Sequence, residues 1–147
     1  NILVFDNGGS AGYGFADPAA PDGRDSVRRD FSRVLEFDPI TLEIIWEYSI
    51  GGSEKFQFFS HYVSNAQRLP NGNTMVTEGS DGRIFELTED KQIVWEYMSP
   101  FHGTEEPISR RIFRAYRLPY EWVPQLDRPQ QIQVVPPDNG TFRVPSQ

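Results

Sequence analysis

Apolar and polar residues alternate in four short runs between residues 63 and 98, and turn-forming residues separate the runs. The runs read VSNAQRL, TMVTEG, RIFEL and IVWEY, with PNGN, SDG and TEDKQ between them. Alternation over such short stretches, bounded by Gly, Pro, Asn and Asp, is typical of β-strands joined by tight turns. The pattern therefore predicts four consecutive antiparallel strands in this part of the chain.

Much of this pattern occurs twice. RVLEFDPITLEIIWEY at 33–48 aligns with RIFELTEDKQIVWEY at 83–97, and VSNAQRLP at 63–70 aligns with IFRAYRLP at 112–119. Both alignments have an offset of 49 or 50 residues. Self-similarity at this period is typical of propeller blades or of solenoid units. Four antiparallel strands within about 40–50 residues match one blade of a β-propeller.

The repeat predicts an all-β fold, a partial β-propeller of about two four-stranded antiparallel blades plus the first strand of a third. Residues 1–48 are expected to form a blade that lacks its first strand, 49–98 a complete blade, 99–121 the start of the next blade, and 122–147 a Pro-rich C-terminal tail. A propeller typically needs about 4–8 blades to close. The chain begins inside a strand-like run, so we expect a fragment of a larger propeller, whose remaining blades come from a parent protein or from further copies of the chain.

One segment interrupts the repeat. Residues 8–32 form a long insertion rich in Gly, Ala, Pro and Asp, at the place where the second unit has a three-residue turn. Loops of this length often bind ligands or cover a site. Asp17, Asp22 and Asp25 in this loop offer oxygen ligands for calcium, although their spacing matches no established calcium-loop pattern.

Composition argues against several classes of function. The 147 residues include 14 basic and 21 acidic side chains, a net charge of −7, and this argues against a nucleic-acid partner because phosphates require a cationic surface. No apolar run approaches the roughly 20 residues that span a bilayer, so no membrane partner is expected. The absence of cysteine excludes disulfides and thiolate metal sites. No metal and no cofactor are expected.

A resemblance comes from longer motifs, namely NILVFDNG, SRVLEFDP, NAQRLPNGNTMVTEGSDGRIFELT and FRAYRLPYEW. Together they cover about residues 1–122 and resemble the bacterial arylsulfotransferase (aryl-sulfate sulfotransferase) family. The resemblance implies a β-propeller enzyme, periplasmic or extracellular, that transfers a sulfuryl group from a phenolic sulfate ester to another phenol. It also implies phenolic sulfate esters and phenols as binding partners, no cofactor, and a histidine that carries the sulfuryl group covalently.

The nucleophilic histidine of that family lies on an inner strand shortly before FDNG, two residues ahead of an alanine-like position. The matching slots in this chain, two residues before Ala66 and Ala115, hold Ser64 and Phe113. Neither is a histidine, so the family's nucleophile is expected upstream of Asn1, in a parent protein. The sequence leaves open whether this chain belongs to an enzyme.

Four residues are candidates for binding the sulfate group: Asn65, Arg68, Arg114 and Arg117. In the family, arginine and asparagine side chains around the central channel bind the sulfate oxygens, and a guanidinium can pair with two oxygens at once. Arg68 and Arg117 occupy equivalent positions of the repeat. The alternative interpretation is therefore that each pairs with a glutamate of the neighbouring blade, Glu36 or Glu86. For Arg114 the alternative is a solvated edge.

Three residues are candidates for acid–base or nucleophilic chemistry: His61, Ser60 and Ser64. His61 leads into the predicted inner strand, near the mouth of the channel, where a histidine can act as general base on a phenol. The alternative is that His61 packs among the aromatic residues around it. His102, in a predicted inter-blade loop, is a further candidate.

The segment FDPITLEIIW resembles the blade signature of quinoprotein propellers, in which the aromatic residue docks on the adjacent blade. Trp46 and Trp95 are therefore predicted to be core residues. Two other functions stay open. The chain is either part of a non-catalytic propeller module that binds or scaffolds, or a fragment that assembles with itself, as a ring or fibre, through unpaired blade edges.

Overall fold

The computed structural model describes residues 1–10, 28–29, 31–101, 103, 110–128, 130 and 132 of the chain. Over these residues the protein is all-β, with two antiparallel sheets of three and four strands, and it contains no α-helix. The chain divides into two compact units, residues 1–117 and residues 118–147, and both sheets lie in the first unit.

Nine strands are present in the described part of the chain: β1 (Ile2–Asp6), β2 (Gly9–Ser10), β3 (Arg28–Arg29), β4 (Arg33–Phe37), β5 (Ile44–Ser49), β6 (Ser64–Arg68), β7 (Thr74–Glu78), β8 (Arg83–Leu87) and β9 (Ile93–Met98). The first sheet has the order β1-β4-β5, and the second sheet has the order β6-β7-β8-β9. A two-residue ladder joins β2 to β3. Short 3₁₀ helices occur at Gly52–Gln57 and Tyr120–Trp122.

The four antiparallel strands predicted within residues 63–98 are confirmed, and the two sheets match strand by strand. β1 pairs with β4 so that Asp6 faces Arg33, and β7 pairs with β8 so that Glu78 faces Arg83. Both sheets also have a register shift at the same place, between the last two residues of β4 and of β8. β1, β4 and β5 therefore correspond to β7, β8 and β9. β6 has no counterpart in the first sheet among the described residues.

The turns that follow β4 and β8 match as well. Leu42 and Lys91 adopt left-handed φ angles of 62° and 67°. The Leu42 N–H donates to the Asp38 carbonyl at 2.8 Å, and the Lys91 N–H donates to the Thr88 carbonyl at 3.0 Å. The repeat seen in the sequence thus extends to the backbone conformation of the turns.

The main hydrophobic core lies between the two sheets. Its buried residues are Val34 and Tyr48 from the first sheet, Val76, Phe85 and Leu87 from the second, and Phe58 from the connecting segment. The Phe58 ring centroid lies 5.0 Å from that of Tyr48 and 5.7 Å from that of Phe85, a range in which aromatic rings attract each other. The side of the first sheet that packs here is named the covered face; it carries Leu3, Phe5, Val34, Trp46 and Tyr48.

A smaller core lies on the other side of the second sheet. Leu69, Met75 and Ile84 are buried there, and Ile112 and Ala115 pack against them. Residues 110–117 therefore cover the part of this side that β6, β7 and the start of β8 form.

Over β9 the same side of the second sheet is exposed. Trp95 and Tyr97 correspond to Trp46 and Tyr48, yet their exposed fractions are 40% and 36%, whereas that of Tyr48 is 7%. The prediction that Trp95 is a core residue is wrong, because no further sheet lies over β9 in the described part of the chain. We name the surface formed by Trp95 and Tyr97 the open face.

The predicted first strand of a third blade, for which the repeat indicates residues 112–118, is not formed, because no main-chain ladder joins these residues to a neighbour within the described ranges. They run as an extended segment whose backbone contacts side chains of the second sheet. The Arg117 N–H donates to Gln67 Oε1 at 2.8 Å, and Gln67 Nε2 donates to the Arg117 carbonyl at 3.0 Å. The Ala115 N–H donates to Thr77 Oγ1 at 3.1 Å.

Most of the predicted insertion, residues 11–27 and 30, lies outside the described residues, and β2 and β3 flank it. In the second unit, Arg128 Nη2 lies 2.8 Å from Glu121 Oε1, and both side chains are exposed. No helix within the described ranges is long and apolar enough to cross a membrane.

Candidate functional site

The candidate site residues lie on and around β6. This strand forms one edge of the second sheet, beside β1 of the first sheet. The side chains of β6 alternate between the two sides of the sheet. Ala66 packs toward the core between the sheets, whereas Asn65 and Gln67 contact residues 110–117, with Asn65 Nδ2 donating to the Ala115 carbonyl at 3.0 Å. β6 is therefore in contact with protein on both sides.

Arg68 forms an ion pair across the two sheets. Its Nη2 lies 2.5 Å from Glu36 Oε2, and its Nη1 donates to Thr74 Oγ1. The guanidinium carbon also lies 4.9 Å from the centre of the Trp46 ring, close enough for a cation–π contact. Hydrogen bonds from Asn1 and Arg68 lower the pKa of Glu36, so Glu36 is ionised at neutral pH and balances the charge of Arg68.

Arg117 repeats the same arrangement on the second sheet. It pairs with Glu86, and its guanidinium carbon lies 5.4 Å from the centre of the Trp95 ring. Burial tends to raise the pKa of Glu86, but hydrogen bonds from Asn73, Arg117 and Asn71 outweigh burial and lower this pKa. The ion pairs foreseen for Arg68 and Arg117 are thus both present.

Two further arginines recur with acidic partners. Arg33 Nε lies 2.9 Å from Asp6 Oδ2, and Arg83 Nη1 lies 3.2 Å from Glu78 Oε2. Each arginine also reaches a second glutamate, Glu47 at 3.7 Å from Arg33 and Glu96 at 2.5 Å from Arg83. Neither cluster was predicted from the sequence. The signal that could have indicated them is the acidic residue that recurs at the end of β1 and of β7.

Glu78 is the most buried acid near the candidate site, with an exposed fraction of 2%. The Phe59 N–H donates to its Oε1 at 2.6 Å, and Arg83 contacts its other oxygen. Burial raises the pKa of Glu78, and the hydrogen bonds from Phe59 and Arg83 oppose that rise. Glu78 therefore ties the segment before β6 to the end of β7.

Ser60 is buried in a hydrogen-bonded cluster. Its hydroxyl donates to the Tyr62 carbonyl at 2.7 Å and accepts from the Ser80 N–H at 3.2 Å. The Ser60 N–H donates to Ser32 Oγ at 2.9 Å, and the Gly8 N–H donates to the Ser60 carbonyl at 3.0 Å. These bonds connect the ends of both sheets, which gives Ser60 a structural role.

His61 and Ser64 do not contact each other. The His61 side chain is exposed, its ring lies 4.2 Å from the Tyr62 ring, and it has no hydrogen-bond partner within the described part of the chain. The Ser64 hydroxyl donates to Asn7 Oδ1 at 3.0 Å. The three predicted catalytic candidates therefore do not form a nucleophile–base pair.

Arg114 differs from the other candidate arginines. Its guanidinium carbon lies 5.7 Å from the centre of the Phe113 ring and 5.4 Å from that of the Tyr116 ring. Its Nη1 is 3.4 Å from the Tyr116 hydroxyl, and within the described ranges it has no carboxylate partner. Arg114 is exposed, so its charge is available to an anion.

A surface cavity of about 280 Å³ lies elsewhere, beside the end of β5. Phe31, Ser49, Ile50, Gly51, Gly52 and Lys55 line it. None of the predicted site residues borders this cavity. No group of three or more His, Cys, Asp or Glu that would suit a metal ion occurs among the described residues. Asp17, Asp22, Asp25 and His102 lie outside them.

Comparisons of the chain with models of protein families, with curated proteins and with solved structures find no match. The arylsulfotransferase family therefore stays a prediction from the motifs.

Proposed function

We propose that the chain supplies two adjacent blades of a β-propeller of the arylsulfotransferase type. In this proposal the whole protein, in the periplasm or outside the cell, transfers a sulfuryl group from a phenolic sulfate ester to a phenol. One observation supports the architecture most. The two sheets match strand by strand, pack face to face, and place β6 beside β1, as successive units around a common axis would.

In the proposed reaction a histidine on another inner strand attacks the sulfur atom of the donor. The bond between sulfur and the phenolic oxygen breaks, and the phenolate leaves. An acceptor phenol then gives its proton to solvent, its oxygen attacks the sulfur atom, and the bond between sulfur and the histidine nitrogen breaks, which restores the free imidazole. A cationic or amide donor next to the sulfate oxygens stabilises the charge during both steps.

Arg114 is the residue of this chain that we assign to the sulfate. The guanidinium groups of Arg68 and Arg117 are already paired with Glu36 and Glu86. That of Arg114 is exposed, and among the described residues it contacts the rings of Phe113 and Tyr116 and the Tyr116 hydroxyl but no carboxylate. Phe113 and Tyr116 beside it offer surfaces for the aromatic ring of a phenol.

The test is turnover of 4-nitrophenyl sulfate with phenol as acceptor, by the protein that contains this chain. We expect release of 4-nitrophenolate and, without acceptor, a histidine that gains the mass of one sulfuryl group. Arg114→Met should lower kcat/KM about tenfold or more, as loss of a charged contact in the transition state does. Arg128→Met, which removes an exposed arginine of the second unit, should leave turnover unchanged. Absence of turnover and of the modified histidine would contradict the proposal.

A second candidate is a non-catalytic propeller module that binds anions or scaffolds other proteins. The observation that favours it is that Arg68, Arg117, Ser60 and Ser64 all have intramolecular partners. It predicts that phenyl sulfate binds in isothermal titration calorimetry, with affinity that falls in Arg114→Met, while no sulfuryl transfer occurs.

A further inference from the structure

We propose that this chain associates head to tail with a second copy of itself, by repeating between copies the contact that its two sheets make within the chain. The open face of one copy would receive the first sheet of the next copy. Residues 113–117 of the first copy would at the same time pair with β1 of the next. This association depends on the repeat of the two sheets, and in it a second copy takes the place of the further blades that the proposed function assigns to a larger protein.

The contact between the first and the second sheet within the chain is the template for the proposed contact between copies. On one side are Trp46 and Tyr48 of the covered face, and on the other Val76, Phe85 and Leu87, whose exposed fractions are all 0%. The indole N–H of Trp46 also donates to the Glu89 carbonyl, in the turn after β8, at 3.2 Å. A face with Trp46 and Tyr48, a hydrophobic face with Val76, Phe85 and Leu87, and one indole hydrogen bond therefore define how two units of this repeat dock.

The aromatic half of a second such contact is already exposed. Trp95 and Tyr97 of the open face correspond to Trp46 and Tyr48, and their rings lie 6.4 Å apart and nearly parallel, at 8°. Arg117 lies over Trp95 as Arg68 lies over Trp46. The open face therefore has the composition and arrangement of a face that a sheet of this repeat covers elsewhere in the molecule.

The other, hydrophobic half lies on the first sheet, on the side opposite the covered face. The strand registers place Val4, Leu35 and Phe37 at the positions that Val76, Phe85 and Leu87 occupy in the second sheet. All six are hydrophobic. In the single chain Leu35 is 9% exposed and Val4 and Phe37 are partly buried, so the part of this side that a neighbouring copy would cover is formed chiefly by Val4 and Phe37. The two halves lie on different surfaces, so a ring or a filament results rather than a symmetric dimer.

β1 also offers an edge for strand pairing. In the second sheet the corresponding strand, β7, is flanked by β6, but among the described residues no strand flanks the outer edge of β1. The Asp38 N–H donates to the Glu43 carbonyl and closes the β4–β5 hairpin. Main-chain groups alternate in direction along a strand. The backbone groups of Leu3 and Phe5 therefore point away from β4, toward the open edge.

Residues 113–117 are the segment that would pair with this edge of β1 in the next copy, and we name them the donor segment. They align with β6 in the repeat. The backbone groups of Ala115 and Arg117 contact Thr77, Asn65 and Gln67. Those of Arg114 and Tyr116 have no main-chain partner in the described part of the chain, and in a strand they would point to the side opposite those of Ala115 and Arg117.

The register of this strand pair follows from the pairing of β6 with β7. Ala66 faces Val76 and Arg68 faces Thr74. When this pairing is carried over to the next repeat, Ala115 of one copy faces Val4 of the next copy, and Arg117 faces Ile2. Tyr116 and Arg114 then exchange main-chain hydrogen bonds with Leu3 and Phe5. The Trp95 indole of the first copy would donate to the Pro39 carbonyl of the next, because Pro39 holds the position of Glu89.

A second copy fits this surface better than an unrelated partner does. Each chain has both halves of the contact, and the strand register, the aromatic face and the indole bond are satisfied by one placement. With two sheets from each chain, a closed ring of about 4–8 sheets would contain about two to four copies.

The oligomeric state of the full 147-residue chain tests the proposal. We expect light scattering coupled to size-exclusion chromatography to give a mass of two or more times 16.9 kDa, rising with concentration. Tyr97→Ser on the open face and Tyr116→Pro in the donor segment should each shift the mass toward 16.9 kDa. Trp122→Ser, an exposed aromatic residue of the second unit, should not. Circular dichroism would confirm that each variant is folded. A monomer at all concentrations, or an oligomer that neither variant weakens, would overturn the proposal.

Disulfide trapping gives a test of the register that is independent of stability. The chain has no cysteine, so one preparation carries Val4→Cys only and another carries Ala115→Cys only. Their mixture should form a disulfide-linked dimer under mild oxidation, because the two Cα atoms of a directly opposed pair lie about 4.5–5.5 Å apart. Val94→Cys, an exposed position on the side of β9 opposite the open face, replaces Val4→Cys in the control mixture and should give little dimer. Equal yields from the two mixtures would overturn the proposed register.

Discussion

The two sheets carry the same aromatic pair at equivalent positions, but the pair is covered in the first sheet and exposed in the second. Tyr48 of the first sheet is 7% exposed, because the second sheet packs over it, whereas Tyr97 is 36% exposed. The two tyrosines hold equivalent places in β5 and β9, and each faces a hydrophobic residue of the adjacent strand, Val34 and Ile84 respectively. Burial in this molecule is therefore decided by what lies over a sheet and not by the strand itself, so a residue pattern identifies a strand but leaves its degree of burial open.

The Arg–Glu pairs show the opposite behaviour. Arg68 with Glu36 and Arg117 with Glu86 are both formed, although only the first lies at a complete contact between sheets. The reason is that residues 110–117 already bring Arg117 to the second sheet. The ion pair thus needs only the segment that follows a sheet, whereas the aromatic contact needs a whole further sheet.

The comparison of the two tyrosines predicts the largest effect on stability. Tyr48→Ala should lower the free energy of unfolding by about 3–5 kcal/mol, because it leaves a cavity among Phe58, Val34 and Phe85. Tyr97→Ala should cost about 1 kcal/mol in the monomer, since its side chain is partly in water. Urea unfolding at low protein concentration measures both. Equal losses would show that the two faces are equally covered in solution.

Gly79 offers a smaller but sharper contrast. It follows Glu78 as Asn7 follows Asp6 in the first sheet, but a Cβ at Gly79 would clash with the carbonyl oxygens of Val63 and Ile112. Gly79→Ala should therefore lower the free energy of unfolding by about 1–3 kcal/mol.

Gly51→Ala is the matched control for Gly79→Ala, because no atom lies within 4 Å of a Cβ at Gly51. Its thermal midpoint should stay close to that of the wild type. If Gly79→Ala melts like Gly51→Ala, then Val63 and Ile112 do not approach Gly79 as closely in solution.

The acidic partners of the two arginines predict the smallest effect, and it depends on pH. Because the pKa of Glu86 is lowered in the folded state, its carboxylate contributes stability above the ordinary glutamate value of 4.5 and loses it as the pH falls through the lowered pKa. The wild type should exceed Glu86→Gln by about 1 kcal/mol at pH 7. This difference should vanish in acid.

Glu36→Gln should show the same trend with a smaller amplitude. The pKa of Glu36 is lowered too, but its side chain is 21% exposed, against 7% for Glu86, so water screens the charge more. Urea unfolding between pH 3 and pH 7, a range of about four units around the glutamate pKa, follows both variants. A stability difference that does not change with pH would contradict the ionic origin of these contacts.

The sequence predicted the strands of the second sheet well because their signal is local. Alternation and turn residues lie within a few positions of one another, and the bounds of β8 match the run RIFEL. The Arg–Glu pairs were also foreseen, since the repeat places Arg68 and Glu36 in adjacent units. Both inferences used information that a single repeat, or its copy, contains.

The rest depended on contacts that the chain does not encode locally. Residues 112–118 have the alternation of a strand, but a ladder also needs a neighbouring strand, and none lies beside them in the described part of the chain. The buried role of Ser60 arises from Ser32, 28 positions earlier, and no motif marks that pairing. The candidate site was therefore predictable where it repeats, and not where it joins distant segments.

The matching turns after β4 and β8 leave room for improvement by substitution. Leu42 and Lys91 both hold a backbone conformation that L-amino acids with a Cβ adopt at a cost of about 1 kcal/mol or more. Asparagine or glycine tolerates this conformation better. Both hairpins can therefore be made to close more readily without any alteration to their ladders, which makes these two positions natural starting points for engineering a more heat-resistant version of the chain.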